Sequence, residues 1–423
     1  MKIVLISTHA QTGGAAMASW RLMNLLRKNG IDIEMLVQDG ENVQEGIYST
    51  THGMVKRWKN LARFILERLI FLRQERSKSI RFLFSLANTG ESISRNQHVR
   101  EADIIHLHWI NGGFLSLKSL REILELGKPV VWTFHDMWPF TGGCHYALDC
   151  TEYLRNCGQC PYLKKPSEKD LSHRIWKRKE HLFQNSNVTV ITPSKWLQEC
   201  ASSSSLLAHW DYHTIHNPID QIKFRPVDRD IACGSLDLDP AKKYILFGAA
   251  TLKNVIKGFE YFKRAIEILH KNLDEESGVE ILLFGKSMGD VERLFPCKTH
   301  NIAFIQSLET LVNLYSAAHL FLIPSLQDNL PNTIIESMLC GTPVVGFKTG
   351  GIPEMIDHKV NGYLANFKAA EDLAQGMKWV LESDSYDELS ATVRSTAVKK
   401  FSMEASLEKH VELYEELLEQ HKS

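Results

Sequence analysis

The chain has 423 residues, and its 49 lysines and arginines almost balance its 50 aspartates and glutamates, which leaves a formal net charge of −1. This balance argues against a protein that binds nucleic acid through its whole surface, and no nucleic-acid partner is expected. Hydrophobic residues make up 44% and charged residues 23% of the chain, as is typical of soluble globular proteins. Two or three domains are expected at this length.

The sequence predicts a cytoplasmic protein. No apolar run approaches the roughly 18 residues that a membrane-spanning helix needs. The apolar run at residues 3–6 is too short for a secretory signal and has no small-residue cleavage site after it, so we interpret it as a buried strand. In a reducing compartment the eight cysteines should be free thiols unless they bind metal.

Both halves of the chain alternate short apolar runs with helical patterns, as βαβ units do. In the first half, strands are predicted at residues 3–7, 31–37, 103–108, 130–133 and 188–192, with helices after Gly14 and at residues 116–126 and 167–185. In the second half, strands are predicted at residues 244–248, 279–284, 302–305, 320–323 and 343–347, with helices at residues 258–270, 308–318 and 331–340.

The turn-rich residues 216–220 separate the two halves. The predicted fold class is therefore α/β, with two Rossmann-like domains at residues 1–217 and 218–423. A last helix is predicted at about residues 403–420, where Leu407, Val411, Tyr414 and Leu418 form one apolar stripe.

Gly13 and Gly14 follow the first predicted strand. Small residues there let the backbone approach a ligand, and the start of the next helix offers N–H groups to an anion. The segment lacks the Gly-x-Gly-x-x-Gly pattern, which counts against a dinucleotide oxidoreductase. A tight turn without a ligand is the alternative interpretation.

The most informative pattern lies at residues 324–354. Asp328 precedes a helix predicted to begin at Pro331, a residue suited to that position because it has no N–H group. Glu336 lies about 7.5 Å further along the helix axis. Two carboxylates would thus flank a group of helix N-terminal amides, which suits the sugar hydroxyls and phosphates of a nucleotide diphosphate. A capped helix with Glu336 in solvent is the alternative.

This segment resembles the signature of the family 4 retaining glycosyltransferases. There, two acidic residues precede a Gly-x-Pro-Val-Val strand and a Gly-Gly-x-x-Glu loop, as Asp328 and Glu336 precede residues 341–345 and 350–354 here. The likeness extends to the Gly13-Gly14 loop, the linker at residues 217–220 and the last helix. It implies the GT-B architecture of two facing Rossmann-like domains, with the last helix packing back on the first domain.

The resemblance also implies roles for individual residues. Glu336 would bind the nucleotide ribose, and Lys257 would neutralise the leaving diphosphate. His135 would contact the donor sugar, although a capping or core histidine is the alternative. The donor sugar and diphosphate would face Asp328 and the backbone of Asn329, Leu330, Pro331 and Asn332. Two departures from the family are an aspartate rather than a glutamate at position 328 and the absence of the family's arginine at residues 248–251.

The expected activity is retaining transfer of a sugar from a nucleotide sugar, UDP- or GDP-linked, to a glycan or lipid-linked acceptor in capsule, exopolysaccharide or lipopolysaccharide synthesis. The resemblance implies a same-face displacement that needs no catalytic metal. The alternatives are a sugar-nucleotide 2-epimerase with the same fold and a non-catalytic nucleotide-sugar binding protein.

Four cysteines lie close together in the sequence, at Cys144, Cys150, Cys157 and Cys160. In a reducing compartment such a cluster, with one Cys-x2-Cys pair, suggests a structural zinc ion. Reduced thiols or two disulfides are the alternatives.

The stretch from Lys56 to Arg81 contains nine lysines and arginines, two glutamates and apolar residues at helical spacing. A basic amphipathic helix of this kind could lie on the anionic inner face of the cell membrane and bring the enzyme to a lipid-linked acceptor. The alternative is a helix that packs its apolar face on the sheet and leaves its cations in solvent.

Overall fold

The structure is a computed structural model that describes residues 1–39, 44–251, 254–273, 278–286, 290–302, 305 and 307–422. The chain divides into two compact units. The first unit comprises Met1–Pro218 together with Glu404–Ser423, and the second comprises Ile219–Met403. Each unit is built around its own parallel sheet, so the predicted α/β class is confirmed.

The first unit contains a sheet of seven strands. They are β1 Lys2–His9, β2 Asp32–Asp39, β3 Ile47–Ser49, β4 Ile104–Leu107, β5 Val130–Thr133, β6 Thr189–Thr192 and β7 Asp211–Thr214. Their order is β3-β2-β1-β4-β5-β6-β7, and every neighbouring pair is parallel. The sequence did not predict β3 and β7, because β3 has only three residues and β7 is a polar, half-buried edge strand.

Helices flank this sheet in the first unit. They are α1 Gly14–Lys28, α2 Met54–Leu72, α3 Gln97–Glu101, α4 Leu117–Leu124, α5 Leu171–Phe183 and α6 Lys195–Ser202. Local chemistry sets their ends. The side chain of Ser116 accepts a hydrogen bond from the Ser119 amide and so caps α4, while Gly30 follows α1 with a left-handed φ of 82°.

The second unit contains a sheet of six strands. They are β8 Lys243–Thr251, β9 Val279–Lys286, β10 Thr299–Ile302, β11 Leu320–Ile323, β12 Val344–Phe347 and β13 Gly362–Ala365. Their order is β10-β9-β8-β11-β12-β13, and all neighbours are parallel. The strand predicted at residues 302–305 overlaps β10 only at Ile302, and residue 305 is not part of a strand. The polar Thr-His-Asn-Ile sequence of β10 lies half-buried at the sheet edge. Residues 303 and 304 lie outside the described residues.

Helices also pack against the sheet of the second unit. They are α7 Arg229–Gly234, α8 Phe259–Lys271, α9 Leu308–Ala317, α10 Asn332–Leu339, α11 Ile352–Met355, α12 Ala370–Leu381 and α13 Tyr386–Lys400. The apolar stripe predicted for α8 is buried: Phe259, Phe262, Ile266 and Leu269 all pack in the core of this unit.

The last helix, α14 Met403–Lys422, belongs to the first unit except for its first residue. Leu413 and Tyr414 are buried in a core cluster with residues of β1, β2 and β4. The Tyr414 hydroxyl lies 2.7 Å from His106 Nδ1, and the Ser406 hydroxyl donates to the His216 carbonyl. The helix is therefore tied to the first sheet by both apolar and polar contacts.

Candidate functional site

Asp328 and Lys257 form an ion pair at the carboxyl ends of the strands of the second sheet. Asp328 lies between β11 and α10, and its Oδ2 lies 2.6 Å from Lys257 Nζ. The Ser325 hydroxyl donates to the same oxygen over 3.1 Å. Lys257 follows β8, and the Leu326 amide donates to the Ile256 carbonyl, so the two loops are also joined through their backbones. Ligands bind at this edge in doubly wound sheets.

Two glycines allow the backbone to close around Asp328. Gly258 has a φ of 69°, and a Cβ there would lie 1.8 Å from the Pro324 carbonyl oxygen. Gly350 has a φ of 57°, and its Cβ would lie 1.9 Å from the Asp328 carbonyl oxygen. That same oxygen accepts a hydrogen bond from the Gly351 amide. The Gly350-Gly351 loop of the predicted motif therefore holds the backbone of Asp328.

Gly350→Ala should lower the free energy of unfolding by at least about 2 kcal/mol, because it combines a left-handed φ with a clash against backbone. Gly341→Ala is the matched control in the same unit. Its φ is also positive, at 81°, but the nearest atom to its Cβ is the Ser390 hydroxyl, which can rotate away. Urea unfolding of both variants should show the larger loss for Gly350→Ala, and equal losses would contradict this account of the loop.

Helix α10 begins at Asn332, one residue later than predicted, with Pro331 as its N-cap. Proline offers no side-chain acceptor for the first-turn amides, an arrangement that suits an anion at this end of the helix. Glu336 lies one turn further along and is only 5% exposed. The Tyr315 hydroxyl donates to its Oε2 over 3.2 Å. The alternative of a solvent-exposed Glu336 is therefore wrong.

His135 lies at the carboxyl end of β5 in the first unit, beside two other histidines. Its Nε2 lies 2.9 Å from His108 Nδ1, and the His108 ring stacks on that of His106. His106 Nε2 lies 2.7 Å from the Thr133 hydroxyl. Burial lowers the pKa of His135 to about 4 and the pKa values of His106 and His108 well below the usual value. At neutral pH, His135 is thus an uncharged hydrogen-bonding group.

These histidines should make folding stability pH-dependent. His410, which packs near His106, also has a pKa lowered to about 4 by burial. Because an unfolded histidine titrates near 6.5, the unfolded state binds more protons as the pH falls below that value, and stability should fall by up to about 1.4 kcal/mol per pH unit for each histidine. Urea unfolding between pH 6.5 and 5.0 should show this loss and a shallower slope for His410→Gln, whereas a flat profile would contradict it.

Asp136 organises the loop that follows β5. Its carboxylate lies 2.8 Å from His145 Nδ1 and accepts hydrogen bonds from the Trp109 indole N–H and the Trp138 amide. Burial alone would raise the pKa of Asp136, but His145 and these donors bring the pKa below its usual value. Neither this network nor the contact between His108 and His135 was predicted from the sequence. Both could have been anticipated from the His-x-His-Trp and His-Asp sequences, because they lie at the ends of two strands that pair as neighbours.

The Gly13-Gly14 loop joins β1 to α1. Gly13 is the N-cap of α1 with a φ of 94°, and a Cβ at either glycine would meet no atom within 4 Å. The positive φ thus explains why residue 13 is a glycine. The space beside both glycines is open. On the donor side, Lys253 is a candidate substitute for the family's missing arginine, and it lies outside the described residues.

The four clustered cysteines line one small cavity in the first unit. All eight cysteines of the chain are free thiols, so the two-disulfide alternative is not formed. Within the described residues, no three histidine, cysteine, aspartate or glutamate side chains stand in the geometry of a metal site. The same part of the chain contains no helix long and apolar enough to cross a membrane.

Comparisons with known proteins agree with this architecture. The family model described as Glycosyltransferase Family 4 matches residues 12–221, and the one described as Glycosyl transferases group 1 matches residues 242–383. An Escherichia coli K12 protein, WcaC, whose name assigns it provisionally to colanic acid biosynthesis as a glycosyl transferase, is 23% identical over 330 residues, which cover 74% of this chain and 76% of that protein.

Two solved structures share the fold over nearly the whole chain. Sucrose-phosphate synthase from Thermosynechococcus elongatus has a TM-score of 0.69 at 18% identity and covers 99% of both chains. Anabaena HepE, solved in complex with UDP-glucose, has a TM-score of 0.64 at 17% identity and covers 98% of this chain and 100% of its own. With both family models matched, one in each unit, the chain belongs to the family 4 glycosyltransferases and has the GT-B fold.

Proposed function

We propose that this glycosyltransferase is a retaining enzyme that transfers a sugar from a UDP- or GDP-sugar to a glycan or lipid-linked acceptor in the synthesis of a cell-surface polysaccharide. The observation that carries the proposal is the Lys257–Asp328 pair beside the start of α10, with Glu336 buried one turn further on. The two relatives named for colanic acid synthesis and for UDP-glucose binding support the acceptor class and the donor class respectively.

The donor would bind through charge and through hydrogen bonds. The diphosphate would face the positive end of α10 and the ammonium group of Lys257. The ribose would bind Glu336, whose carboxylate is already oriented by Tyr315, so little side-chain entropy would be lost on binding. Asp328 would accept hydrogen bonds from the sugar once Lys257 turns toward the phosphate.

The chemical step breaks the bond between the sugar and the diphosphate. Negative charge then develops on the leaving phosphate, where Lys257 and the α10 amides would stabilise it. The acceptor hydroxyl would attack from the face that the diphosphate leaves, and its proton would pass to a phosphate oxygen of the leaving group. The new glycosidic bond would therefore keep the anomeric configuration of the donor. Neutral His135 would serve this step as a hydrogen-bonding contact to the sugar.

We further propose that the first unit docks on an anionic membrane through α2. In the second half of this helix the charged side chains of Glu67 and Arg68 point into the unit. Glu67 is fully buried, and its Oε1 accepts hydrogen bonds from the Leu86 and Ala87 amides. Arg68 donates to the Arg81 and Phe84 carbonyls. The alternative interpretation is supported only in part: Lys56, Arg57 and Lys59 do stand in solvent, but most large apolar side chains of α2 are exposed rather than packed on the sheet.

The opposite side of α2 is apolar and exposed. Its exposed large apolar residues are Met54, Val55, Trp58, Leu61, Ile65, Leu66, Leu69, Ile70 and Leu72. The helix ends at Leu72 rather than continuing to Arg81, and Arg81 pairs with the buried Glu75. Exposed cations surround the apolar residues, at Lys56, Arg57, Lys59, Arg73, Arg76 and Lys78, whereas both acidic residues of the segment are buried. An anionic lipid surface matches both features.

A transfer assay tests the proposed activity. The full chain is incubated with each radiolabelled nucleotide sugar and with glycan and lipid-linked acceptors, and the product's anomeric proton coupling is measured by NMR. We expect acceptor-dependent transfer with the donor's configuration, and at most slow hydrolysis without acceptor. Conversion of the donor to its C2 epimer without acceptor would instead identify an epimerase, and donor binding without any transfer would identify a binding protein.

A further inference from the structure

His108 contacts His135 through the edges of the two imidazole rings. His108 directly follows β4 and His135 lies just beyond β5, and these strands pair as parallel neighbours. His108 Nδ1 lies 2.9 Å from His135 Nε2, while the ring centroids are 5.2 Å apart and the ring planes differ by 22°. Because the contacting nitrogens lie at the ring edges, these distances set the rings side by side, as a hydrogen bond between two imidazoles requires.

The His108 ring is held in place independently of His135. Its side chain is buried, and the His106 ring stacks on it with centroids 4.4 Å apart. His106 is in turn bonded at both ring nitrogens, to the Tyr414 hydroxyl and to the Thr133 hydroxyl. His108 therefore offers His135 a nitrogen at a fixed position.

The contact between the two histidines requires one proton between their nitrogens. Both rings are neutral at pH 7, because burial lowers the pKa of each, so one ring must donate and the other accept. If His135 donated from Nε2, the proton of His108 would be on its own Nε2. That nitrogen is buried, and no described residue forms a hydrogen bond with it. A buried N–H group without an acceptor is rarer in proteins than an unpaired acceptor, which favours donation by His108.

We infer that His108 is a positioning residue, which donates its Nδ1–H group to His135 Nε2 and thereby holds His135 with its proton on Nδ1. The hydrogen bond at one ring nitrogen sets the protonation of the other. His135 then acts toward the sugar as a hydrogen-bond donor from Nδ1, to an acceptor such as a hydroxyl oxygen. Because the ring and its tautomer are fixed in advance, little entropy is lost when the sugar binds. The role in transfer rests on the proposed contact of His135 with the donor sugar.

Nitrogen NMR of the protein without ligand tests the tautomer directly. In the full chain labelled with ¹⁵N-histidine at pH 7, protonated and bare ring nitrogens have well-separated chemical shifts, and the signals of His135 are those missing from His135→Gln. We expect the His135 proton on Nδ1 and a bare Nε2. A proton on Nε2, or a mixture of both tautomers, would overturn the inference.

Two substitutions of similar size test the role of His108 in sugar transfer. His108→Asn keeps an N–H group close to the position of Nδ1, whereas His108→Leu removes it, and both lose the ring that stacks on His106. His108→Leu should lower kcat/KM for the donor sugar about 10-fold, the effect of one hydrogen bond, while His108→Asn should stay within about threefold of the wild type. Urea unfolding checks that both variants are folded under the conditions of the assay.

A purely structural role of His108 predicts a different result. Loss of the stacked ring would then affect both variants alike, so equal values of kcat/KM for His108→Asn and His108→Leu would overturn the positioning role. If the wild type transfers no sugar from any nucleotide donor, the proposed function fails instead. The tautomer of His135 needs no nucleotide sugar, so the NMR measurement then decides the inference by itself.

Discussion

Lys257→Met should lower the rate of sugar transfer by about 10²–10³-fold, because it removes a preorganised charge from the diphosphate leaving group. The change keeps the length and bulk of the side chain. Lys263→Met is the matched control: Lys263 lies on α8, the helix that follows Lys257 in the chain, and pairs with Glu267 on the helix surface. The control should keep at least half of the wild-type rate, and the same result for Lys257→Met would contradict the assigned role.

The ion pair with Asp328 allows the catalytic role to be separated from a structural one. Removing Lys257 leaves a largely buried carboxylate without its cation, so Lys257→Met should also lose stability. Asp328→Asn in the same chain should restore much of that stability, because no unpaired charge is left. It should not restore transfer. Recovery of both properties in the double variant would show that Lys257 acts only by supporting the fold.

Replacing Trp58, Leu61 and Leu69 together by glutamine should weaken binding to anionic vesicles at least about 100-fold. Burying a large apolar side chain contributes about 1.5–3 kcal/mol, so even partial insertion of three gives about 3 kcal/mol, or two decades of affinity. All three side chains are exposed in α2, so folding stability should not change. Co-sedimentation with phosphatidylglycerol-containing vesicles measures the effect.

The matched control replaces Ile222 and Ile231, which are 69% and 65% exposed in the second unit, by glutamine, and it should bind vesicles like the wild type. Binding should also weaken as salt rises or as the lipids become neutral, since the exposed cations contribute through screened attraction. No vesicle binding by the wild type at low or physiological salt would exclude the membrane role. A second protein that covers α2 would then be the occupant to seek.

The sequence predicted strands best where they are apolar and central. Residues 130–133 and 320–323 were placed to the residue as β5 and β11, because both strands are buried on both faces. The prediction of strands from the sequence failed at the sheet edges. There β7 and β10 are short and polar, and they are recognisable as strands only through their pairing with β6 and β9.

Periodicity also found the two faces of α2 but could not decide which face points inward. That choice depends on contacts far apart in the chain: the Glu67 carboxylate meets the Leu86 and Ala87 amides only in the folded protein. The Lys257–Asp328 pair is similar, since 71 residues separate its members. Both residues were predicted from the motif, but their direct ion pair became visible only in the structure.

The proposed activity requires above all that the second unit bind a nucleotide sugar. A thermal-shift screen of the wild type and of Glu336→Gln against UDP-, GDP- and ADP-sugars tests it most directly. One nucleotide class should stabilise the wild type by about 2.7 kcal/mol at 100 times its dissociation constant. Glu336→Gln, which loses a charge-assisted hydrogen bond to the ribose, should bind that class about 10- to 100-fold more weakly. A wild type that no nucleotide sugar stabilises, or a Glu336→Gln variant of unchanged affinity, would contradict the account.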